Sequence, residues 1–170
     1  MGSKTLVLGL GNTILSDDGV GLLVARDAER LLRDRQDVDV RCTSLGGFDL
    51  VDLLAGYGRA IIVDAVKTGA VPPGTTRWFS PWDFAVSKRL VAMHEVSLPD
   101  ALALGRKLGA DMPREIRILG IEVENDQTFG DQCSPLVAAA VPRAVFEVIE
   151  RVGEEPSPEA KCDDPVEHPN

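Results

Sequence analysis

The chain is poor in the features that mark many function classes. No apolar run approaches the roughly 18 residues a membrane span requires, and the N-terminus lacks the basic-then-apolar design of a secretory signal. Cysteine is scarce: Cys42, Cys133 and Cys162 are odd in number, far apart and free of any CxxC pair. That pattern suits a reducing cytosol better than a disulfide framework, so a cytoplasmic protein is expected. Positive charge is in the minority, with 18 Lys and Arg against 27 Asp and Glu and a net charge of −9. So acidic a chain repels phosphate backbones and anionic lipid, which argues against nucleic acid and membrane partners. There is no HExxH, no GxSxG elbow and no Gly-Lys-Ser/Thr after the glycine loop, so zincin, serine-hydrolase and P-loop readings lack their motifs.

What remains is ordinary globular composition, 44% hydrophobic and 26% charged over 170 residues, enough for one domain that needs no disulfide or metal staple. The charge is unevenly placed. From Glu154 the chain reads EEPSPEAKCDDPVEHPN, with six acids against Lys161 and four prolines. Such a stretch buries too little to offset its ordering entropy. Residues 1–153 are therefore expected to form a single domain, and 154–170 an acidic disordered tail that takes Cys162 and His168 out of contention.

Strand and helix signals alternate along the body. Thr5 to Leu8 is a short apolar strand ending at Gly9, and Val20, Leu23, Val24, Ala28, Leu31 and Leu32 recur at helical spacing. Val38 to Cys42 alternates as a half-exposed strand, Asp49 to Leu54 fits a short helix, and Ala60 to Val63 is a wholly apolar strand running into Asp64. After the Pro72-Pro73-Gly74 turn, Thr75 to Phe79 suits a hairpin or edge strand, an antiparallel member of the sheet. Ser97, Pro99 and Asp100 open a helix to about Leu108, and Glu115 to Ile121 is a further strand. Ser134-Pro135 starts a last helix whose apolar set includes Leu136, Val137, Val141, Val145, Val148 and Ile149, with a kink expected at Pro142. The pattern predicts an α/β fold, a three-layer sandwich with helices on both faces of a mostly parallel twisted sheet. Ligands in such sheets bind beyond the carboxyl ends of the strands.

Gly9-Leu10-Gly11 invites a dinucleotide reading, but the third fingerprint glycine would fall at Ile14, and Asp17 and Asp18 would repel a pyrophosphate. The two glycines are better explained by a tight turn after the strand. One acid of Asp17-Asp18-Gly19 suits the N-cap of the following helix, which leaves the other to face the crevice. Asp64, at the end of an apolar strand beside the first, emerges on the same edge, where an unpaired charge is costly to bury. His94 is the single histidine of the body and lies in a loop before a helix cap. Folded over the edge, it completes an O,O,N set with Asp18 and Asp64 suited to nickel or zinc with open positions. Cys42 reads as strand-end packing rather than a nucleophile.

VLGLGNTILSDDGVG, an apolar strand ending IIVDA and a loop histidine together resemble the hydrogenase maturation proteases, the nickel-dependent endopeptidases that process the large subunit of NiFe-hydrogenase. GGFDLVDLL and LGIEVE…SPLVAAAVPRAVFEVI extend the similarity over nearly the whole body. The resemblance implies that Asp18, Asp64 and His94 are both the metal contacts and the catalytic set of an aspartate-based endopeptidase. It implies that nickel arrives in the Cys cluster of the large-subunit precursor, other divalent cations occupying the site in vitro. A short C-terminal extension is then cleaved, which activates the hydrogenase. Gly46 and Gly47 would let the substrate backbone come close. Many members carry an acid before that pair where this chain has Leu45, which leaves the hydrogenase served unspecified. A monomer is expected. Two alternatives stand beside this reading: a non-catalytic nickel-sensing or precursor-escort protein using the same O,O,N set, and a peptidyl-tRNA hydrolase-like esterase. The latter shares the G-L-G-N stretch but needs the basic surface this chain lacks.

Overall fold

The computed structural model describes residues 4–84, 97–124 and 128–155. The chain runs through β1 (Thr5–Leu10), a 3-10 turn (Ser16–Gly19), α1 (Val20–Leu32), β2 (Val38–Thr43), α2 (Asp49–Leu54) and β3 (Arg59–Val66). It continues through β4 (Thr76–Phe79), a second 3-10 turn (Pro81–Phe84), α3 (Leu98–Lys107), β5 (Glu115–Glu122) and α4 (Pro135–Gly153). The five strands lie in the order β2-β1-β3-β5-β4. Every pairing is parallel except β4 against β5, so Thr76–Phe79 is an antiparallel edge rather than half of a local hairpin.

Alternation along the strands divides the core into two layers. Leu6, Leu8, Ala60, Ile62, Ile116 and Ile118 meet α2 and α3 through Leu50, Leu54, Leu98 and Leu102. Val7, Ile61, Val63, Leu119 and Ile121 meet α1 and α4 through Val24, Ala28, Val141 and Val145. This is the expected three-layer sandwich. The buried stripe of α1 is Val20, Val24, Ala28 and Leu32 with Gly21 and Ala25. Leu23 and Leu31, expected on that face, point outward at 39% and 68% exposure. Leu136, expected in the core, is likewise exposed in the first turn of α4. In both helices a four-residue repeat sets the inner face, and apolar residues one step off it turn to solvent. α4 is one continuous helix with Pro142 inside it. Among the described residues no helix is long and apolar enough to cross a membrane.

Gly9, expected in a tight turn after the strand, does different work, and Gly21 of α1 shares it. Gly9 is within β1, and a Cβ there would stand 2.5 Å from the Gly21 carbonyl oxygen and 2.6 Å from the Ala25 Cβ. Gly21 is equally confined, with the Leu10 and Val63 carbonyl oxygens at 2.3 and 2.4 Å from a built Cβ. The missing side chains let the first turn of α1 sit directly on β1 and β3.

Candidate active site

β1 pairs with β3 only as far as Gly9 opposite Val63, whereas β3 pairs with β5 on to Val66 opposite Glu122. Beyond Val63 the two central strands part. β1 connects through α1 to β2 on one side, and β3 lies on its other side. The parting is thus the topological switch point, where open α/β sheets form their ligand crevice. The Ser16–Gly19 turn lies against β3 there.

Asp64 is the first residue of β3 beyond its pairing with β1, and it is fully buried. The strand continues through Ala65 and Val66, so this acid is inside the strand and not at its end as expected; pairing with β5 carries β3 further than pairing with β1 does. Its Oδ1 accepts a 2.8 Å bond from the Ala65 backbone N–H. Asp18 follows from the 3-10 turn, also buried at 4% exposure. Its backbone N–H donates to the Leu15 carbonyl at 2.8 Å, and its own carbonyl packs on Gly11. That glycine has φ +148, and a Cβ on it would fall 2.1 Å from the Asp18 oxygen. Only glycine fits such a backbone in such a place.

The expected capping role does not hold for either acid. Gly19 is the N-cap of α1, and no side chain caps that helix. Asp17, fully buried, instead accepts from the backbone N–H of Ser134 at 2.6 Å and its hydroxyl at 3.1 Å. Ser134 is the N-cap of α4 and makes no cap bond of its own to that helix. The two donors at the start of α4 hold this carboxylate in place. The pair is thereby divided, Asp17 committed to α4 and Asp18 left at the switch point.

Gly46 and Gly47 occupy the loop after β2, both partly exposed, and Gly47 has φ +62. That loop adjoins the one after β1, since the Gly11 N–H donates to the Thr43 carbonyl. Ile14, Leu45, Phe48 and Phe129 stand more than half exposed on the loops of this edge. His94 lies outside the described residues. Among the described residues no three metal-ligating side chains form a group.

The hydrogenase maturation protease family model matches residues 23–151. The chain belongs to that family. Its alignment with the hydrogenase expression/formation protein HupD of Thiocapsa roseopersicina is 26% identical, covering 86% of this chain and 66%, just under two thirds, of that relative. The hydrogenase 2 maturation protease of Escherichia coli is 25% identical over 86% of this chain and 88% of its own length. The solved structure of the hydrogenase maturating endopeptidase HybD from E. coli superposes with a TM-score of 0.70 over 88% of this chain and 92% of that one. At 23% identity it speaks for the fold. That membership supersedes the peptidyl-tRNA hydrolase-like alternative as a family assignment.

In this family member the two described cysteines, Cys42 and Cys133, are poor nucleophile candidates. Burial, and then the nearby Asp17 carboxylate, push the Cys133 thiol up to about 11. Cys42 is exposed on the edge strand β2 and not packed, as expected, at its end; its thiol contacts the Leu22 carbonyl at 3.8 Å. Sequence reasoning missed the Asp17–Ser134 link, because its partners are 117 residues apart. Only an acid pair and a Ser-Pro helix start, each with a donor or acceptor to place, hint at it. It also missed Glu122, buried at 2% exposure. The Glu122 carboxylate accepts from the Thr68 N–H, the Thr68 hydroxyl and the Gly69 N–H, each at 2.7 Å, and so fixes the turn leaving β3.

Proposed function

We propose that this chain removes the C-terminal extension of a NiFe-hydrogenase large-subunit precursor after nickel insertion, with Asp18, Asp64 and His94 as contacts to the nickel the substrate carries. The observation that carries the reading is the pair of buried carboxylates, Asp18 and Asp64, at the point where β1 and β3 part. Burying carboxylate charge costs free energy, and a cation arriving at this edge offsets part of that cost. Two hard oxygens and one imidazole form a mixed set suited to a borderline divalent ion, with positions open to other ligands.

The chemistry is hydrolysis of one amide. The substrate's nickel polarises the scissile carbonyl or lowers the pKa of a bound water. Asp18 or Asp64 accepts the proton as water oxygen bonds the carbonyl carbon, and the C–N bond breaks with that proton passing to the leaving amine. Gly46 and Gly47 offer no side chain to obstruct the substrate backbone, and Leu45 stands exposed beside them. The enzyme works as a monomer in the cytoplasm and has no nucleic acid or membrane partner.

The test is incubation of the purified protein with nickel-loaded precursor, read as a mass loss at the precursor's C-terminus. Asp18→Asn, Asp64→Asn and His94→Ala should each slow processing by about 100-fold or more. Wild-type cleavage by any of them overturns its assignment. A precursor that stays intact with the unmodified enzyme favours an escort protein instead.

A further inference from the structure

Asp18 is held from two sides, and one of them is remote in sequence. Ser16, just ahead of the acid pair, has φ +22, a region that L side chains rarely adopt. Such strain persists only where the surroundings impose it. Here they do: the Ser16 N–H donates to the Gly130 carbonyl at 3.0 Å and its hydroxyl to the Gln132 carbonyl at 3.0 Å. The Gly130 N–H returns a 3.1 Å bond to the Ile14 carbonyl. Asp17 completes the attachment through Ser134, with no exposed surface of its own. The Ile14–Asp17 stretch is therefore fastened to the segment entering α4, a 19-residue helix packed on α1.

This inference rests on the proposed function. We propose that Asp17 is a positioning residue: its two bonds to Ser134 lock the 3-10 turn to α4 and so fix where the neighbouring Asp18 carboxylate stands in the crevice. The division of labour follows from chemistry. A carboxylate that accepts from an N–H and a hydroxyl at a helix start is held firmly there, and the next residue, Asp18, is carried with it in the turn against β3. A group displaced by about 1 Å from its productive place loses on the order of 100-fold in rate. Unlatching the turn should therefore depress kcat far more than it weakens precursor binding, which is spread over the surrounding loops.

The experiment measures kcat and KM per folded molecule on nickel-loaded precursor, with circular dichroism recording the folded fraction. Asp17→Ala should lower kcat at least tenfold and leave KM within about threefold. Asp17→Asn should restore kcat to within about threefold of the natural enzyme. Its Oδ1 can accept from the Ser134 N–H while its amide donates to the Ser134 hydroxyl. A purely structural role for Asp17 would lower thermal stability without this kcat effect. Should Asp17→Ala not fold, Ser134→Pro leaves Asp17 in place and deletes both donors. The φ of −57 at Ser134 already suits proline, and the same kcat loss is expected. A natural kcat in folded Asp17→Ala or Ser134→Pro, beside an inactive Asp18→Asn, overturns the inference and leaves the proposed function standing. Natural kcat in Asp18→Asn overturns the proposed function, and this inference with it.

Discussion

At the scale of single residues, adjacent and chemically alike groups in this chain are placed by different partners. Asp17 and Asp18 are adjacent and both buried, yet one is committed to Ser134 and the other is not. The acid pair was legible as an unusual feature, with Asp18 the member expected to face the crevice. The tie of Asp17 to Ser134 was not legible, because the partner is supplied by another loop. Cys133 is likewise governed by its neighbours. With its thiol pushed up to about 11 by burial and by Asp17, it stays protonated at neutral pH and should be nearly inert. Iodoacetamide labelling of the native protein at pH 8, mapped by mass spectrometry, should leave Cys133 unmodified until the chain unfolds. The sign of the linked stability follows. Because the folded thiol holds its proton more tightly than the unfolded one, its contribution is complete below about 9, the ordinary thiol value, and is lost as pH rises toward about 11. Urea midpoints measured between pH 8 and 11 should fall less steeply for Cys133→Ala than for the natural chain.

At the scale of elements, the site depends on how closely α1 approaches the sheet. The strands and helices were readable from apolar periodicity, and Asp49–Leu54 was read with its observed limits. Strand ends were less readable: β1 and β3 both run past the glycine and aspartate that seemed to close them, because pairing with neighbours sets where a strand stops. Gly21 is a point of close approach, wedged between the carbonyls of Leu10 and Val63. Gly21→Ala should destabilise the protein by about 1–3 kcal/mol through overpacking, read as a lower urea midpoint at unchanged slope. The same change pushes α1 away from β3 beside Asp64, so processing should fall as well. An alanine variant with natural stability would show that the helix can shift without strain.

At the scale of the whole molecule, the two edges of the sheet are built for different purposes. The carboxyl edge gathers Asp18, Asp64 and the glycine loops. The amino edge carries a buried ion pair, Arg59 Nε to Glu115 Oε2 at 3.3 Å, each side chain 5% exposed. It joins the starts of β3 and β5, and an Arg59 Nη donates to the Glu154 carbonyl just beyond α4. Glu115→Ala leaves a buried guanidinium without its main counter-charge and should cost on the order of 3 kcal/mol, measured by chemical denaturation. Far from the crevice, it should leave kcat per folded molecule within about twofold. The acidic tail adds a second whole-molecule prediction. Deleting 156–170 removes Glu159, Asp163, Asp164 and Glu167 with Lys161, changing the net charge from −9 to −6. The tail's composition promises no buried contact, so the unfolding midpoint should stay within about 1 °C. A drop of several degrees would mean that the tail packs on the body.

The linear order of residues determined a great deal by itself: alternating apolar runs dictate layered strands and helices, and an acid at the foot of a glycine loop together with a second in an apolar strand nominates the crevice. These signals are local, since periodicity and residue type act over a few positions. Tertiary structure alone decided which carboxylate is spent on a helix 117 residues away, where β1 and β3 part, and how far β3 continues beyond Asp64. Hydrogen-bond partners and strand registers are properties of segments meeting in space, and no spacing along one segment specifies them.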